Sequence, residues 1–138
     1  MIGVPCMVMR GGTSKGVFFI SNDLPADQHQ RDALLLAVMG SPDARQIDGI
    51  GGATPLTSKV AIISVSERAD ADIDYVFLQV SIDQALVSDQ QNCGNLLAAT
   101  GQFAIERRIV AAAGTTASIR VYMSNTNSVA TSTFPINN

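Results

Sequence analysis

Apolar residues along the chain form short runs that stop at glycine, proline or clusters of polar residues. The runs at residues 4–9 and 17–20 are too short for helices and rich in branched or aromatic side chains, so they predict two buried strands. Residues 10–16, RGGTSKG, lie between them and connect the two strands like a hairpin, although this connection is long for a hairpin.

The next apolar positions recur at helical spacing and predict an outer helix at about residues 27–39. Proline and aspartate stand at its start, and glycine and proline follow its end, which are typical signals for the two ends of a helix. The apolar positions are Leu34, Leu35, Val38 and Met39, the starting signals are Pro25 and Asp27, and the closing signals are Gly40 and Pro42.

A glycine-rich segment follows at residues 41–58, with three glycines and two prolines. A long loop in a small domain is more often functional than idle. Residues 59–65 and 73–82 then predict two strands, separated by a charged, turn-forming segment at 67–72. Neither face of the strand at 73–82 is clearly polar, which is expected of a sheet covered on both faces.

The most unusual segment lies at residues 96–105, which carry no charge before Glu106. A helix that is apolar nearly all round is a buried helix. In a domain of this size strands must therefore wrap it on several sides, and residues 118–123 and 129–134 supply two late strands.

Composition is typical of one globular domain, since the 138 residues are 46% hydrophobic and 15% charged. The formal net charge of −3 argues against nucleic acid as the main partner, because binding phosphates needs a basic excess or a strong basic patch. An anionic small molecule is still allowed, since a few local cations can bind it. The first residues lack the basic and apolar pattern of a leader segment, and no apolar run approaches about 20 residues, so we expect neither a leader nor a membrane segment, and a cytoplasmic location.

The two cysteines, Cys6 and Cys93, lack the spacing of a metal site, and one possible pair cannot build a disulfide framework. Cys93 stands at the predicted start of the buried helix, where unpaired N–H groups and the helix dipole favour an anion. This setting favours the thiolate, which is a usable base at neutral pH, and the same N–H groups can hold a carboxylate. The alternative is that Cys93 is a small core residue.

Lys59 begins an apolar strand directly after the glycine-rich loop. A partly desolvated lysine there can act as an acid, as a base or as an electrostatic clamp for an enolate. The alternative is an ordinary surface cation.

The segment RGGTSKG offers further contacts for an anion. Arg10 can bind a carboxylate with two hydrogen bonds, and the residues after it offer N–H and hydroxyl donors. The segment is no phosphate loop, because its lysine is followed by glycine, and residues 49–52 form no dinucleotide fingerprint, because they neither follow a clear strand nor open a helix. Composition alone favours plain turns in both places. The candidate donors after Arg10 are Gly11, Gly12, Thr13 and Ser14.

Other residues that often carry chemistry have simpler interpretations. We predict that His29 is solvated on the polar face of the first helix and that Cys6 is an inert core residue of the first strand. The remaining charged clusters are interpreted as solvated charge, and they comprise Arg107, Arg108, Asp70, Asp72 and Asp74.

Taken together, four motifs resemble the PrpF-type isomerase family, which includes 2-methylaconitate cis-trans isomerase, methylitaconate delta-isomerase and 4-oxalomesaconate tautomerase. They are PCMVMRGGTSKGVFF, MGSPDARQIDGIGGATPLTSKVAI, DADIDYVFLQV and NCGNLLAATGQFAIE, and the likeness runs over about residues 4–134. The resemblance implies an α+β fold similar to diaminopimelate epimerase, with a curled, mostly antiparallel sheet around a central helix at about residues 94–107. Residues 1–138 would then be a single domain that resembles the N-terminal half of a two-domain isomerase, without the second domain.

The resemblance also implies an activity and a site. The expected activity is a 1,3-proton shift on a small unsaturated polycarboxylate, without metal or other cofactor. Separately from the resemblance, an uncovered cleft face would favour self-association, so a homo-oligomer is a possible assembly. The motif match assigns the catalytic roles to Cys93 and Lys59. The substrate-binding positions are Arg10, Gly12, Thr13, Ser14, Ser58, Asn92, Gly94 and Asn95.

Two other functions stay open at this point. One is a non-catalytic domain that binds polycarboxylates or a partner protein, because half of the expected cleft is missing. The other is a cysteine hydrolase that uses Cys93 as nucleophile, although His29, the single histidine, lies in an unrelated helix.

Overall fold

A computed structural model describes residues 3–136 as one sheet with a helix against each face. The strand order is β1-β2-β3-β4-β6-β7, and the short β5 pairs with β4. Pairs β2–β3 and β4–β6 are parallel and the other pairs are antiparallel. The elements are β1 Met7–Gly11, β2 Ser14–Ile20, α1 Gln28–Met39, β3 Lys59–Val65, β4 Ile73–Val80, β5 Val87–Ser88, α2 Gly94–Glu106, β6 Thr116–Met123 and β7 Ser128–Pro135, with single 3₁₀ turns at Ser21–Asp23 and Pro55–Thr57.

The sheet has two apolar faces, as the sequence of β4 predicted. Alternate residues of a strand point to opposite faces. On β4, Tyr75 and Phe77 therefore pack towards α2, while Leu78 and Val80 pack towards α1. The α+β class and the mostly antiparallel sheet are confirmed, and the parallel pairs make the sheet mixed.

Helix α1 matches its predicted bounds within a residue. The side chain of Asp27 accepts a hydrogen bond from the N–H of Gln30 at 2.9 Å, which satisfies one of the donors that a helix start leaves unpaired. Gly40 ends the helix in the left-handed conformation, with φ of 85°, which glycine adopts without steric cost. Leu35 and Met39 are fully buried against the sheet.

Helix α2 is less enclosed than the sequence predicted. Leu96, Phe103 and Ala104 are fully buried, but Ala98 and Gln102 form an exposed stripe that continues to Glu106. Strands from both edges of the sheet, β1 and β7, and the strands between them contact the helix, so the sheet wraps it on several sides and leaves one stripe open in the described residues. The prediction of a central buried helix at about residues 94–107 is confirmed, and the small and amide side chains of the stripe account for its exposure.

The first two strands are longer at their shared end than predicted. They continue into RGGTSKG and pair Gly11 with Ser14, so that only Gly12 and Thr13 form the turn. Gly12 has a φ of 55°, the left-handed region that tight hairpin turns require. Cys6 precedes β1 and is exposed, so its assignment to the core is wrong.

The charged clusters interpreted as solvated are paired in part. Arg120 donates to the carboxylate of Asp72 at 3.0 Å, and Arg107 lies 3.5 Å from the carboxylate of Asp23. One carboxylate oxygen of Asp74 is buried without a hydrogen-bond partner. The prediction that these side chains are solvated charges is therefore correct for only some of them, since Arg107 and Asp72 form ion pairs and Asp74 is partly buried.

Within residues 3–136, no helix is long and apolar enough to cross a membrane. Over the same residues, no group of three or more histidine, cysteine, aspartate or glutamate side chains is arranged to hold a metal ion.

Candidate active site

Cys93 is the N-cap of α2, as the sequence predicted. Its backbone is extended, and its sulfur accepts a hydrogen bond from the N–H of Leu96 at 3.4 Å. The side chain is buried, with 5% of the residue exposed. The sulfur therefore lies at the positive end of the helix dipole, where a negative charge is stabilised.

Lys59 reaches the same place from the sheet. It is the first residue of β3, and the alternation of that strand turns its side chain to the face that packs against α2. Its ammonium nitrogen lies 3.5 Å from the sulfur of Cys93 and 5.4 Å from the centre of the Phe77 ring. The site thus brings a thiol and a cation into direct contact, without space for a substrate between the two groups.

Ser14 is the third member of the cluster. It begins β2, is fully buried, and places its hydroxyl oxygen 3.7 Å from the sulfur of Cys93. The hairpin that carries it rests on the start of α2, because Asn95 donates to the hydroxyl of Thr13 at 3.0 Å. At Gly11, a side chain would collide with the backbone of Asn95, so this close approach requires glycine.

Two predicted binding residues take other positions. Arg10 is exposed, donates to the carbonyl of Gly12 at 3.2 Å, and lies opposite Lys15 in the hairpin register, on the strand positions that alternate away from α2. Ser58 is fully buried: its hydroxyl donates to the carbonyl of Val80 and accepts from Gln46, both at 2.8 Å. The structure brings neither Arg10 nor the hydroxyl of Ser58 to the thiol.

The remaining predicted residues surround the start of α2. Gly94 and Asn95 are its first two residues and are exposed, so they present the N–H groups that the first turn of a helix leaves without intrahelical partners. Asn92 is exposed on the segment before the helix, and its amide contacts the sulfur of Met123 at 3.8 Å. Gly12 is exposed at the hairpin turn, where it packs against Asn95.

Two residues at the site were missed in the sequence. Tyr75 is fully buried and donates from its hydroxyl to the carbonyl of Cys93 at 3.1 Å. Burial raises the pKa of Tyr75, and the nearby Cys93 adds to the effect, so the hydroxyl keeps its proton. Asn125 bonds both backbone groups of Phe77 and the carbonyl of Asp89. In the sequence, Tyr75 resembles any inward residue of an apolar strand, and nothing indicates that Asn125 bonds the backbone of Phe77.

A buried thiol in contact with an ammonium group can exchange a proton with it, and the ammonium compensates the charge of a thiolate. The helix start beside them presents N–H groups that attract carboxylates. Fold and site together therefore define an α+β domain in which a buried thiol, an ammonium group and the start of a helix lie side by side.

The chain belongs to the PrpF protein family, whose model matches residues 1–138. It is 63% identical over 133 residues to a (4E)-oxalomesaconate Delta-isomerase of Novosphingobium sp. (strain KA1), covering 96% of this chain and 37% of that relative. It is 53% identical over 123 residues to a 3-methylitaconate isomerase of Eubacterium barkeri, covering 89% of this chain and 32% of the relative.

A solved structure has the same fold. The crystal structure of a methylitaconate-delta-isomerase superposes with a TM-score of 0.95 at 48% sequence identity, covering 98% of this chain and 35% of that one. The chain thus spans about a third of the length of the curated and solved relatives it matches.

Proposed function

We propose that this chain provides the acid–base centre of a cofactor-independent isomerase. The reaction is a 1,3-proton shift on a small unsaturated di- or tricarboxylate such as 4-oxalomesaconate or 2-methylaconitate. The contact of 3.5 Å between the ammonium of Lys59 and the sulfur of Cys93 carries this proposal. The relatives named as isomerases of oxalomesaconate and methylitaconate supply the substrate class.

In the proposed reaction, the Cys93 thiolate removes a proton from the carbon next to the conjugated system. The electrons of the broken C–H bond delocalise into the double bond and the carboxylate, which gives a dienolate. Lys59 lies beside this centre and stabilises the developing negative charge. The Cys93 thiol then gives this proton to the carbon two atoms away, so that the double bond moves, the thiolate is restored and no atom is gained or lost.

We assign the carboxylates of the substrate to the start of α2 and the hairpin tip. Gly94 and Asn95 supply first-turn N–H groups, and Asn92 supplies an amide. Thr13 and Ser14 supply hydroxyl groups from the other side of the thiol. Gly12 is assigned to the outer rim of this region at the exposed hairpin turn, and Ser58 is assigned an effect through the backbone that it holds next to Lys59. Arg10 faces away from α2 and is assigned no contact with the substrate.

Lys59→Ala and Cys93→Ser test the assignment. We expect each substitution to lower turnover by about a hundredfold or more, the scale of acid–base groups. Turnover is measured by nuclear magnetic resonance, as deuterium incorporation into 4-oxalomesaconate or 2-methylaconitate in deuterated water. Normal rates in both variants would contradict the assigned roles.

The same measurement separates the proposal from a binding function. Calorimetry shows whether the protein binds the two polycarboxylates, independently of turnover. Binding by the unsubstituted protein without any proton exchange contradicts the proposed isomerase and supports a domain that only binds polycarboxylates.

A further inference from the structure

The hydroxyl of Tyr75 is bonded to the residue that carries the proposed base. Tyr75 is fully buried, and its hydroxyl donates to the carbonyl of Cys93 at 3.1 Å. That carbonyl also accepts the N–H of Leu97 at 3.3 Å, in the first turn of α2. The bond to Tyr75 thus ties the start of the helix to the sheet.

One strand locates both members of the thiol–ammonium pair. Tyr75 and Phe77 are successive inward residues of β4, and the first bonds Cys93 while the ring of the second lies under the ammonium of Lys59. Neighbouring strands fix β4 on both sides, because β3 pairs with it from Ile73 to Gln79 and β6 pairs with it at Tyr75. The position of β4 therefore determines where the sulfur of Cys93 and the ammonium of Lys59 lie.

We infer that Tyr75 is a positioning residue that holds the sulfur of Cys93 against the ammonium of Lys59. The inference rests on the proposed function for its catalytic meaning. A fully buried tyrosine hydroxyl needs a hydrogen-bond partner, and here that partner is the backbone of the helix cap itself. Without the bond, the cap residue loses one of the two contacts of its carbonyl, and the sulfur moves more freely relative to Lys59.

Tyr75 keeps its hydroxyl proton, since burial raises its pKa and a thiolate at Cys93 acts in the same direction. The hydroxyl is therefore a permanent donor that takes no part in proton transfer at neutral pH. Its effect passes through Cys93, so the reactivity of the thiol is the readout that separates positioning from a purely structural role.

The experiment compares Tyr75→Phe with Tyr122→Phe, since these are the two tyrosines of the chain. Tyr122 is the matched control, because its hydroxyl bonds Asn127 on the exposed β6–β7 hairpin. Both variants are made with the exposed Cys6, the other of the two cysteines of the chain, replaced by serine, so that Cys93 is the reacting thiol. The rate of alkylation by iodoacetamide is measured against pH.

We expect Tyr75→Phe to slow alkylation at neutral pH by about threefold to tenfold, the range that the loss of one hydrogen bond produces in an equilibrium. The rate in Tyr122→Phe should match that of the parent over the same pH range. Thiolate absorbance in the ultraviolet gives the same readout without requiring access of a reagent. An unchanged profile in a folded Tyr75→Phe protein overturns the inference.

A second measurement avoids removing the hydroxyl. In the Tyr122→Phe background, ring-fluorinated tyrosine labels Tyr75 alone, and its fluorine resonance should shift over the pH range in which alkylation of Cys93 accelerates. Cys93→Ser should abolish that shift. A resonance that is insensitive to both pH and Cys93→Ser contradicts the inference, even if Tyr75→Phe fails to fold.

These tests need no substrate, so the two proposals fail separately. If Cys93→Ser retains normal isomerase turnover, the proposed function fails while the thiol measurements still test positioning. If Cys93→Ser abolishes turnover but Tyr75→Phe changes neither alkylation nor kcat, the positioning inference alone fails. With both correct, Tyr75→Phe lowers kcat and leaves KM near the parent value.

Discussion

The two helices begin in the same way but with different chemistry. At the start of α1, the exposed carboxylate of Asp27 accepts the N–H of Gln30 at 2.9 Å. At the start of α2, the buried sulfur of Cys93 accepts the N–H of Leu96 at 3.4 Å. Aspartate is among the preferred N-cap residues and cysteine is not, so the second helix forgoes a stronger cap.

The surroundings explain this difference. Asp27 faces solvent, and the residue three positions on, Gln30, is also exposed. Cys93 lies among Lys59, Ser14 and Tyr75, while Leu96 anchors the helix by full burial. We conclude that packing stabilises the start of α2, which leaves its cap position available for reactivity, whereas capping itself stabilises the start of α1.

The largest expected effect on stability comes from the third residue of each helix, which is Leu96 in α2 and Gln30 in α1. Leu96→Ala removes a fully buried side chain and should lower the free energy of unfolding by about 2–5 kcal/mol. Gln30→Ala, the matched change in α1, should alter it by less than about 0.5 kcal/mol, because the side chain is exposed. Urea unfolding followed by circular dichroism measures both. Equal losses would mean that packing does not distinguish the two helix starts.

The sequence predicted the elements better than their surroundings. The bounds of α1 and β3 follow from local signals, namely Asp27, Gly40 and the apolar run after Lys59. The position of Cys93 at a helix start was equally local. The open side of α2 was not predictable, because the exposure of Ala98 depends on where the curled sheet ends.

The candidate site shows the same division. The sequence predicted Cys93 and Lys59 as the central residues of the site, but their contact depends on the alternation of β3 and on how β4 packs against α2. Arg10 was expected near the substrate, yet the register of the hairpin places it opposite Lys15 on the other set of positions. Tyr75 donates to the backbone carbonyl of Cys93, and the residues next to Tyr75 in the sequence do not indicate this bond.

The second largest effect on stability is expected from removing the N-cap side chain of α1. Asp27→Ala removes the acceptor for Gln30 and should lower the free energy of unfolding by about 1 kcal/mol. The rate of alkylation of Cys93 should stay at the parent value, because the two helices pack on opposite faces of the sheet. Unfolding and alkylation on the same preparations check both expectations. A change in thiol reactivity would show that the two starts are coupled.

The smallest expected effect on stability is that of Cys93→Ser. Serine is a preferred N-cap residue, so the free energy of unfolding should stay within about 1 kcal/mol of the parent or increase. Turnover should nevertheless fall as proposed above. A stability loss of more than about 2 kcal/mol, measured by urea unfolding, would show that Cys93 serves the core instead.

The most direct test of the thiol–ammonium pair uses the two lysines of the chain, with every cysteine except Cys93 replaced by serine. Lys59→Met removes the ammonium that lies 3.5 Å from the sulfur, while Lys15→Met removes a cation from the strand position opposite Arg10. We predict that Lys59→Met slows alkylation of Cys93 at neutral pH by about tenfold and that Lys15→Met leaves it unchanged, because only Lys59 places a cation in contact with the reacting sulfur. Identical rates in Lys59→Met, Lys15→Met and the parent would contradict the pair.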